Sequence, residues 1–195
     1  EKVAKFSKEL KIYEDPEELL SISLGSAETT LLNLTSAYSS FVNGGKLISP
    51  IIIDRIQDSE GNTIINNENR KCMNCDKISY TGKDYPQIKD NYEQVMSEQT
   101  AYQITTILEG VIKRGTGKKL RDLQLNLAGK TGTTNENTDA WFIGFTSNLV
   151  IGVYVGMDNP KPLGKFETGS KAALPIFREF IEKAVKKSDA RPFKV

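Results

Sequence analysis

Four segments carry apolar residues at the three- and four-residue spacing that predicts an amphipathic α-helix. The first covers residues 2–12 and ends before Asp15-Pro16, which cannot continue a helix. The second is capped by Thr29 or Thr30 and stops at Asn43-Gly44-Gly45. The apolar positions of these two helices are Val3, Phe6, Leu10 and Ile12, then Leu31, Leu34, Tyr38 and Phe41.

The third helix is the most regular of the four. Ser97 caps it, Glu98 lies in its first turn, and Gly115 ends it. The closing helix follows near residue 173 and places Pro175 in its first turn. Their apolar positions are Ala101, Ile104, Leu108, Val111 and Ile112, then Ala173, Ile176, Phe177, Phe180, Ile181 and Ala184. The stretches 17–26 and 115–119 are predicted to be loops, the second a solvated basic turn.

Three antiparallel strands are expected in series between the third and fourth helices. Leucines at alternate positions lead into Lys130, and residues 140–145 and 149–157 follow across a tight turn at 146–148. The alternating leucines are Leu123, Leu125 and Leu127. Glycines interrupt the strands at Gly144, Gly152 and Gly156, and a helix lying close on the sheet would account for them.

A second, peripheral region begins with a hairpin whose strands are residues 50–56 and 63–65. A polar inserted loop follows at 66–92 and contains Cys72 and Cys75. Four interpretations of this cysteine pair stay open: half of a zinc site, a redox pair, a structural disulfide and two free thiols. A zinc site needs four ligands, and a disulfide requires an oxidising compartment.

Composition argues against several classes of binding partner and catalytic site. The chain has 195 residues, enough for one domain, with 38% hydrophobic and 26% charged residues. The net charge of +1 gives no reason to expect a nucleic-acid or membrane partner. The chain contains no histidine, which excludes a Ser-His-Asp triad. No transmembrane run or signal peptide is present, so composition alone would suggest the cytoplasm.

The stretch Ala128 to Thr134 concentrates one lysine and three threonines around Gly132. Gly129-Lys130-Thr131 resembles the end of a phosphate-binding loop, but Gln124 stands where that motif needs its first glycine, and no helix-forming run follows. The alternative is a Lys-Thr-Gly-Thr strand at the rim of an acyl-transfer cleft. There a cation and hydroxyls hold a carboxylate, and a backbone N–H faces an oxyanion.

Longer context favours the second interpretation. The segments 24–38, 111–117 and 128–158 closely resemble the transpeptidase domain of bifunctional (class A) penicillin-binding proteins, in family order. The resemblance runs over residues 1–185 and implies a peptidoglycan D,D-transpeptidase that crosslinks the cell wall by serine acyl transfer. It also implies binding of a D-Ala-D-Ala stem peptide or a β-lactam, with no cofactor and no metal.

Carried over by position, Lys130 supplies positive potential in the cleft, and Thr131 and Thr133 offer hydroxyls to the substrate carboxylate. Gly132 permits close approach, and the Thr133 N–H completes the oxyanion hole. Asp139 is expected to order a strand junction, and Trp141 to lie in the core. No serine has a lysine three residues later or an asparagine two later, so the family's Ser-x-x-Lys and Ser-x-Asn motifs are expected upstream of residue 1.

The chain is therefore expected to be the C-terminal part of such a domain, with residues 188–195 as a tail. The predicted fold class is α+β, an antiparallel sheet packed with helices, as a partial domain of the serine-transpeptidase and β-lactamase-like type. By resemblance the parent acts on the periplasmic face of the membrane, anchored by an N-terminal helix outside this chain. The chain alone is expected to be inactive.

Two alternatives to this function remain: a non-catalytic structural or ligand-binding subdomain, and a D,D-carboxypeptidase parent, which differs in passing the acyl group to water. The expected partners are stem peptide, β-lactams and the missing N-terminal part of the domain. A homodimer is also expected, through an exposed sheet edge.

Overall fold

A computed structural model describes residues 1–68, 70–73, 75, 87–186 and 191–194. The chain forms two compact units. The larger combines Glu1–Ile48 with Gln94–Val195, and the smaller is Ser49–Glu93. Each unit has its own secondary structure.

The larger unit contains all four predicted helices. They are α1 (Lys2–Glu9), α2 (Leu31–Val42), α3 (Glu98–Arg114) and α4 (Ala173–Ala184). Thr30 caps α2 and Ser97 caps α3, each hydroxyl oxygen accepting a backbone N–H at 3.1 Å. These caps confirm the starts predicted from the sequence, because both side chains satisfy an N–H that has no partner within its helix.

The buried face of α1 differs from the predicted one. Leu10, just after the helix, is buried as expected, but Val3 and Phe6 are 49% and 39% exposed. Ala4 and Ser7 face inward instead. Small residues at this spacing let α1 lie close to its neighbours, which a pattern of large apolar residues does not reveal.

The predicted loop 17–26 contains a 3₁₀ helix at Leu20–Leu24, and a second 3₁₀ helix, Lys118–Leu123, begins in the predicted loop 115–119 and extends beyond it. The second includes Leu123, which the alternating leucines had placed in the run leading into the first strand of the sheet. Gln124 follows with a φ of 56°, in the left-handed region. A left-handed residue breaks the extended backbone, so the predicted strand begins later, at Ala128.

The three predicted antiparallel strands are confirmed as β5 (Ala128–Thr133), β6 (Ala140–Phe145) and β7 (Val150–Val155), in the order β5-β6-β7. In the described part of the smaller unit, four strands precede them in the chain. Lys130 lies opposite Ile143, and Ile143 opposite Gly152. The Lys-Thr-Gly-Thr run therefore occupies an edge strand of this sheet.

Helices cover both faces of the sheet. On one face Phe142 packs against Phe177 of α4, with ring centroids 4.8 Å apart. On the other, Ala128 and Phe145 pack with Leu108 of α3 and Tyr38 of α2. Because strand side chains alternate between faces, consecutive residues of β5 and β6 support different helices.

Close packing explains two of the three strand glycines. A Cβ at Gly144 would lie 2.5 Å from Phe177 Cε2, and one at Gly152 would lie 2.8 Å from Leu31 Cδ1. The predicted covering helices are thus confirmed at these positions, as α4 and α2. Gly156 is different, since a Cβ there would meet Tyr154 and Asp139 and no helix.

The smaller unit contains two hairpins. β1 (Arg55–Gln57) pairs with β2 (Thr63–Asn66), and β3 (Lys71–Met73) pairs with β4 (Gln87–Lys89). The first predicted strand was too long, because residues 50–54 lie outside β1. The second hairpin falls inside the stretch predicted as an irregular polar loop, of which residues 69, 74 and 76–86 lie outside the described residues.

Among the described residues of the region predicted as a tail, Phe193 is packed. Phe193 lies 5.7 Å, centroid to centroid, from Phe145. Residues 187–190 and 195 are outside the described part of the chain. Among the described residues, no helix combines the length and apolar character needed to cross a membrane.

Candidate functional site

The open edge of β5 carries the predicted site residues. The N–H of Thr134 donates to the Asp139 carbonyl at 3.3 Å where the β5–β6 hairpin closes. Hydrogen-bonded and non-bonded pairs alternate along an antiparallel ladder, so Gly132 and Lys130 bond to β6. The same alternation turns the N–H and C=O groups of Thr131 and Thr133 away from β6. The site edge therefore presents backbone donors and acceptors to a ligand.

The side chain of Lys130 is exposed and contacts this edge of β5. Its Nζ donates to the Thr131 carbonyl oxygen at 2.8 Å. That carbonyl accepts the lysine because it points out of the ladder. The ammonium group thus lies along the exposed edge of β5.

Thr131 has a partner from a different element. Its Oγ1 lies 2.9 Å from Thr116 Oγ1, 15 residues earlier in the chain. Thr116 stands in the turn between α3 and the second 3₁₀ helix, which the sequence analysis assigned to a solvated loop. The missed signal is the flanking glycines of Gly115-Thr116-Gly117, which let a turn lie close to a helix end.

Thr133 is held from the loop before α4. The Gly169 N–H donates to Thr133 Oγ1 at 3.0 Å. A Cβ at Gly169 would lie 2.4 Å from the Trp141 carbonyl oxygen and 2.6 Å from that of Gly132. Only glycine fits against the strand pair here, so Gly169 belongs to the site although the sequence analysis did not single it out.

Gly132 itself faces Trp141, its register partner. A Cβ at Gly132 would lie 3.1 Å from Trp141 Cβ. Trp141 is half-buried and lies 4.7 Å, centroid to centroid, from Tyr154. The expectation that Trp141 is a core residue is therefore wrong, because its ring lies on the sheet surface beside another aromatic ring.

Asp139 lies at the junction of β5 and β6. Its N–H donates to Thr134 Oγ1 at 3.0 Å, and its carboxylate accepts the Tyr154 hydroxyl at 3.0 Å. This hydrogen bond raises the pKa of Tyr154 above its ordinary value. The expectation that Asp139 orders the strand junction is confirmed. The hydrogen bond from Tyr154 also connects this junction to β7.

The cysteines lie in the smaller unit. Cys72 is in β3 and Cys75 in the turn after it, with Cα atoms 5.8 Å apart and the sulfur atoms paired as a disulfide. Within the described ranges, no group of three or more histidine, cysteine or acidic residues is arranged to hold a metal.

Two surface clefts lie elsewhere in the larger unit. One, of about 680 Å³, is lined by residues of the segment 12–33. The other, of about 770 Å³, is lined by residues of the second 3₁₀ helix and of α4. Neither is lined by Lys130 to Thr133.

Comparison with known proteins agrees with this arrangement. The family model for the penicillin binding protein transpeptidase domain matches residues 11–182. Penicillin-binding protein 1A of Rickettsia prowazekii is 43% identical over 197 residues, covering 100% of this chain and 25% of the relative. That of Neisseria flavescens is 38% identical over 176 residues, covering 90% and 20%. The chain spans a fifth to a quarter of the length of these curated relatives.

A solved structure agrees in fold. The crystal structure of penicillin-binding protein 1A from Haemophilus influenzae superposes with a TM-score of 0.80 at 29% identity. The match covers 98% of this chain and 32% of that one. The mixed helix and antiparallel sheet architecture is that of part of a transpeptidase domain, as predicted. The chain belongs to the penicillin-binding protein transpeptidase family.

Proposed function

We propose that the chain is the C-terminal part of a peptidoglycan D,D-transpeptidase domain, in which β5 forms one wall of the acyl-transfer cleft. The observation that carries this proposal is the position of Lys130-Thr131-Gly132-Thr133 on an edge strand whose outward groups are free of the ladder. The family match over residues 11–182 supports it.

The reaction divides into two acyl transfers. A serine hydroxyl, supplied from upstream of this chain, attacks the carbonyl between two D-alanines and loses its proton to a neighbouring base. The C–N bond then breaks, the terminal D-alanine leaves with that proton, and an acyl-enzyme remains. An amine of a second stem peptide then attacks the ester, which forms the crosslink and restores the serine.

In this reaction the Thr133 N–H stabilises the oxyanion. The negative charge develops on the carbonyl oxygen in each tetrahedral intermediate, and a fixed donor that points into the cleft lowers its energy. Thr133 is held on its other side by Gly169, so the donor is in place before the ligand arrives. Gly132 keeps the approach clear, since it carries no side chain.

The remaining groups bind the carboxylate of the terminal D-alanine. Lys130 supplies a cation, and Thr131 and Thr133 each supply a hydroxyl that can donate. Lys130 Nζ now contacts the Thr131 carbonyl, so a small side-chain rotation brings it to the ligand. A β-lactam carries a carboxylate and a strained amide, and it binds the same groups.

The proposal also places the protein outside the cytoplasmic membrane, where stem peptides are crosslinked. The membrane anchor and the nucleophile segment then belong to a longer polypeptide. An oxidising compartment of this kind permits the disulfide between Cys72 and Cys75.

The test compares this chain with a version extended upstream to include the Ser-x-x-Lys and Ser-x-Asn segments, called here the extended protein. Both are incubated with a penicillin, and their intact masses are measured. We expect a covalent adduct on the extended protein only. An adduct on the 195-residue chain would show that the nucleophile lies within it, and an adduct on neither would refute the enzymatic function.

A further measurement defines the acyl acceptor. The extended protein is given a D-Ala-D-Ala peptide with and without an added amine. A crosslinked product supports transpeptidation, whereas release of D-alanine with hydrolysis alone would identify a D,D-carboxypeptidase.

A further inference from the structure

The Thr116 hydroxyl lies beside β5, the strand proposed to bind the substrate carboxylate, but belongs to a different part of the chain. Its Oγ1 is 2.9 Å from Thr131 Oγ1. Thr116 is exposed and Thr131 is half-buried at the strand edge. The contact therefore joins the turn after α3 to the strand that faces the ligand.

The backbone around Thr116 is firmly held. The N–H groups of Gly115 and Gly117 both donate to the Val111 carbonyl, at 3.1 and 3.0 Å. A Cβ at Gly115 would lie 2.9 Å from Val111 Cα, and one at Gly117 would lie 2.7 Å from Ile112 Cδ1. The two glycines thus allow the turn to lie directly against the last turn of α3, which fixes the position of the Thr116 hydroxyl.

The chemistry of the two hydroxyls sets the direction of their hydrogen bond when a carboxylate is bound. A threonine hydroxyl donates one hydrogen bond, whereas an ionised carboxylate only accepts. If Thr131 donates to the ligand, it cannot also donate to Thr116. Thr116 must then be the donor to Thr131, and donation into a hydroxyl oxygen strengthens that hydroxyl as a donor.

The surrounding charges favour the same ligand. Lys113, Arg114, Lys118 and Lys119 lie within three residues of Thr116, and Glu109 pairs with Lys113 at 3.2 Å. The turn that contacts Thr131 therefore carries an excess of positive charge.

We propose that Thr116 is a positioning residue for substrate carboxylate recognition, acting by donating to Thr131 Oγ1 so that the Thr131 hydroxyl points at the ligand. This inference rests on the proposed transpeptidase function. It assigns Thr116 no contact with the reacting atoms, and its effect is largest for ligands that carry a free carboxylate.

The test uses the extended protein and three variants, Thr116→Val, Thr116→Ser and Thr131→Val. The acylation rate constant is measured with a penicillin and with its methyl ester, in which the carboxylate is masked. We expect Thr116→Val to slow acylation by the free acid about tenfold, the size that one neutral hydrogen bond supports. Thr116→Ser retains the hydroxyl and should restore the rate.

Two controls separate positioning from a structural role. Thr116→Val should slow acylation by the methyl ester less than acylation by the free acid, because an ester carbonyl is a weaker acceptor than a carboxylate. Adding Thr116→Val to Thr131→Val should cause no further loss. Equal slowing with acid and ester would overturn the inference, as would full additivity of the two substitutions. Thermal unfolding of each variant shows whether a lost rate comes from lost folding.

The outcome for wild type separates this inference from the proposed function. If the wild-type extended protein is not acylated by the penicillin, the proposed function fails. If wild type is acylated and Thr116→Val reacts with the free acid at the same rate, the role assigned to Thr116 fails and the proposed function stands.

Discussion

The backbone N–H of Gly169 donates to the hydroxyl oxygen of Thr133 at 3.0 Å, across 36 residues of sequence. Gly169 is itself fixed, since its carbonyl accepts the Leu174 N–H at 2.9 Å where α4 begins. The hydrogen bond occupies an acceptor site of Thr133 and leaves its O–H to donate. The start of α4 thereby restricts the direction in which the Thr133 hydroxyl can donate.

The first prediction concerns Gly169→Ala in the extended protein. The new Cβ would lie 2.4 Å from the Trp141 carbonyl oxygen, so the loop must move and Thr133 loses its donor. We expect acylation by a penicillin to slow by about tenfold to a hundredfold, as small displacements of positioning groups do. The measurement is the rate of adduct formation by mass spectrometry.

Gly144→Ala is the matched control for this substitution. It also introduces a side chain into a crowded part of the sheet, but near the end of the β5–β6 ladder that is farther from Thr133. The folded fraction of this variant should react at the wild-type rate. A wild-type rate for Gly169→Ala would show that the Gly169 contact does not position Thr133.

The second prediction uses Gly144 to test helix packing on the sheet. A Cβ at this position would lie 2.5 Å from Phe177 Cε2. Gly144→Ala should therefore lower the free energy of unfolding by about 1–3 kcal/mol, the usual cost of overpacking a core. Urea unfolding of the 195-residue chain measures it.

A second substitution gives this prediction its control. Phe177→Leu makes room at Gly144, so the double variant should be less destabilised than the sum of its single changes. Gly152→Ala would meet Leu31 and Thr35 instead, and Phe177→Leu should not relieve it. Simple additivity of Gly144→Ala and Phe177→Leu would argue against the contact.

Local sequence patterns predicted the helices well because their signals are local. Ser97 and Thr30 cap helices through hydrogen bonds to residues three positions later, and Gly144 and Gly152 revealed covering helices through their missing side chains. The start of β5 was misplaced because Gln124 takes a left-handed conformation that alternating leucines do not signal.

The site was predictable only in part. The Lys-Thr-Gly-Thr run and its resemblance pointed to β5, and the register shows it as an edge strand. Thr116 and Gly169 reach that strand from 15 and 36 residues away, through tertiary contacts. No spacing rule connects such pairs, since their proximity depends on how α3 and α4 pack on the sheet.

The third prediction concerns the cysteine pair. Protein exported to an oxidising compartment should show no free thiol at Cys72 or Cys75 before reduction, and two after it, by alkylation and mass measurement. Replacing both with serine should cost about 2 kcal/mol or less, because so short a loop restricts the unfolded chain little.

This variant should also leave acylation of the extended protein unchanged. The pair lies in the smaller unit, whereas Lys130 to Thr133 lie in the larger one. Alkylation of both thiols without reduction would contradict the disulfide, and a loss of acylation in the serine variant would contradict its purely structural role.

The fourth prediction is a pH dependence of stability. Arg178 of α4 donates two hydrogen bonds to the Asp122 carboxylate, at 2.6 and 2.9 Å, and so ties α4 to the second 3₁₀ helix. These bonds lower the pKa of Asp122 below its ordinary value. A carboxyl group with a lowered folded-state pKa contributes stability above its unfolded pKa and loses it as the pH falls through the folded value.

Asp122→Asn removes this contribution. Wild type should therefore be more stable than the variant above about pH 4, the ordinary carboxyl pKa, and the difference should shrink at lower pH. The difference should be small, since the Asp122 side chain is 64% exposed. In an Arg178→Gln background, Asp122→Asn should have a smaller pH-dependent effect, because Arg178 is the largest cause of the lowered pKa of Asp122. A wild-type advantage that stayed constant as the pH fell well below 4 would assign the effect of Asp122 to something other than its charge.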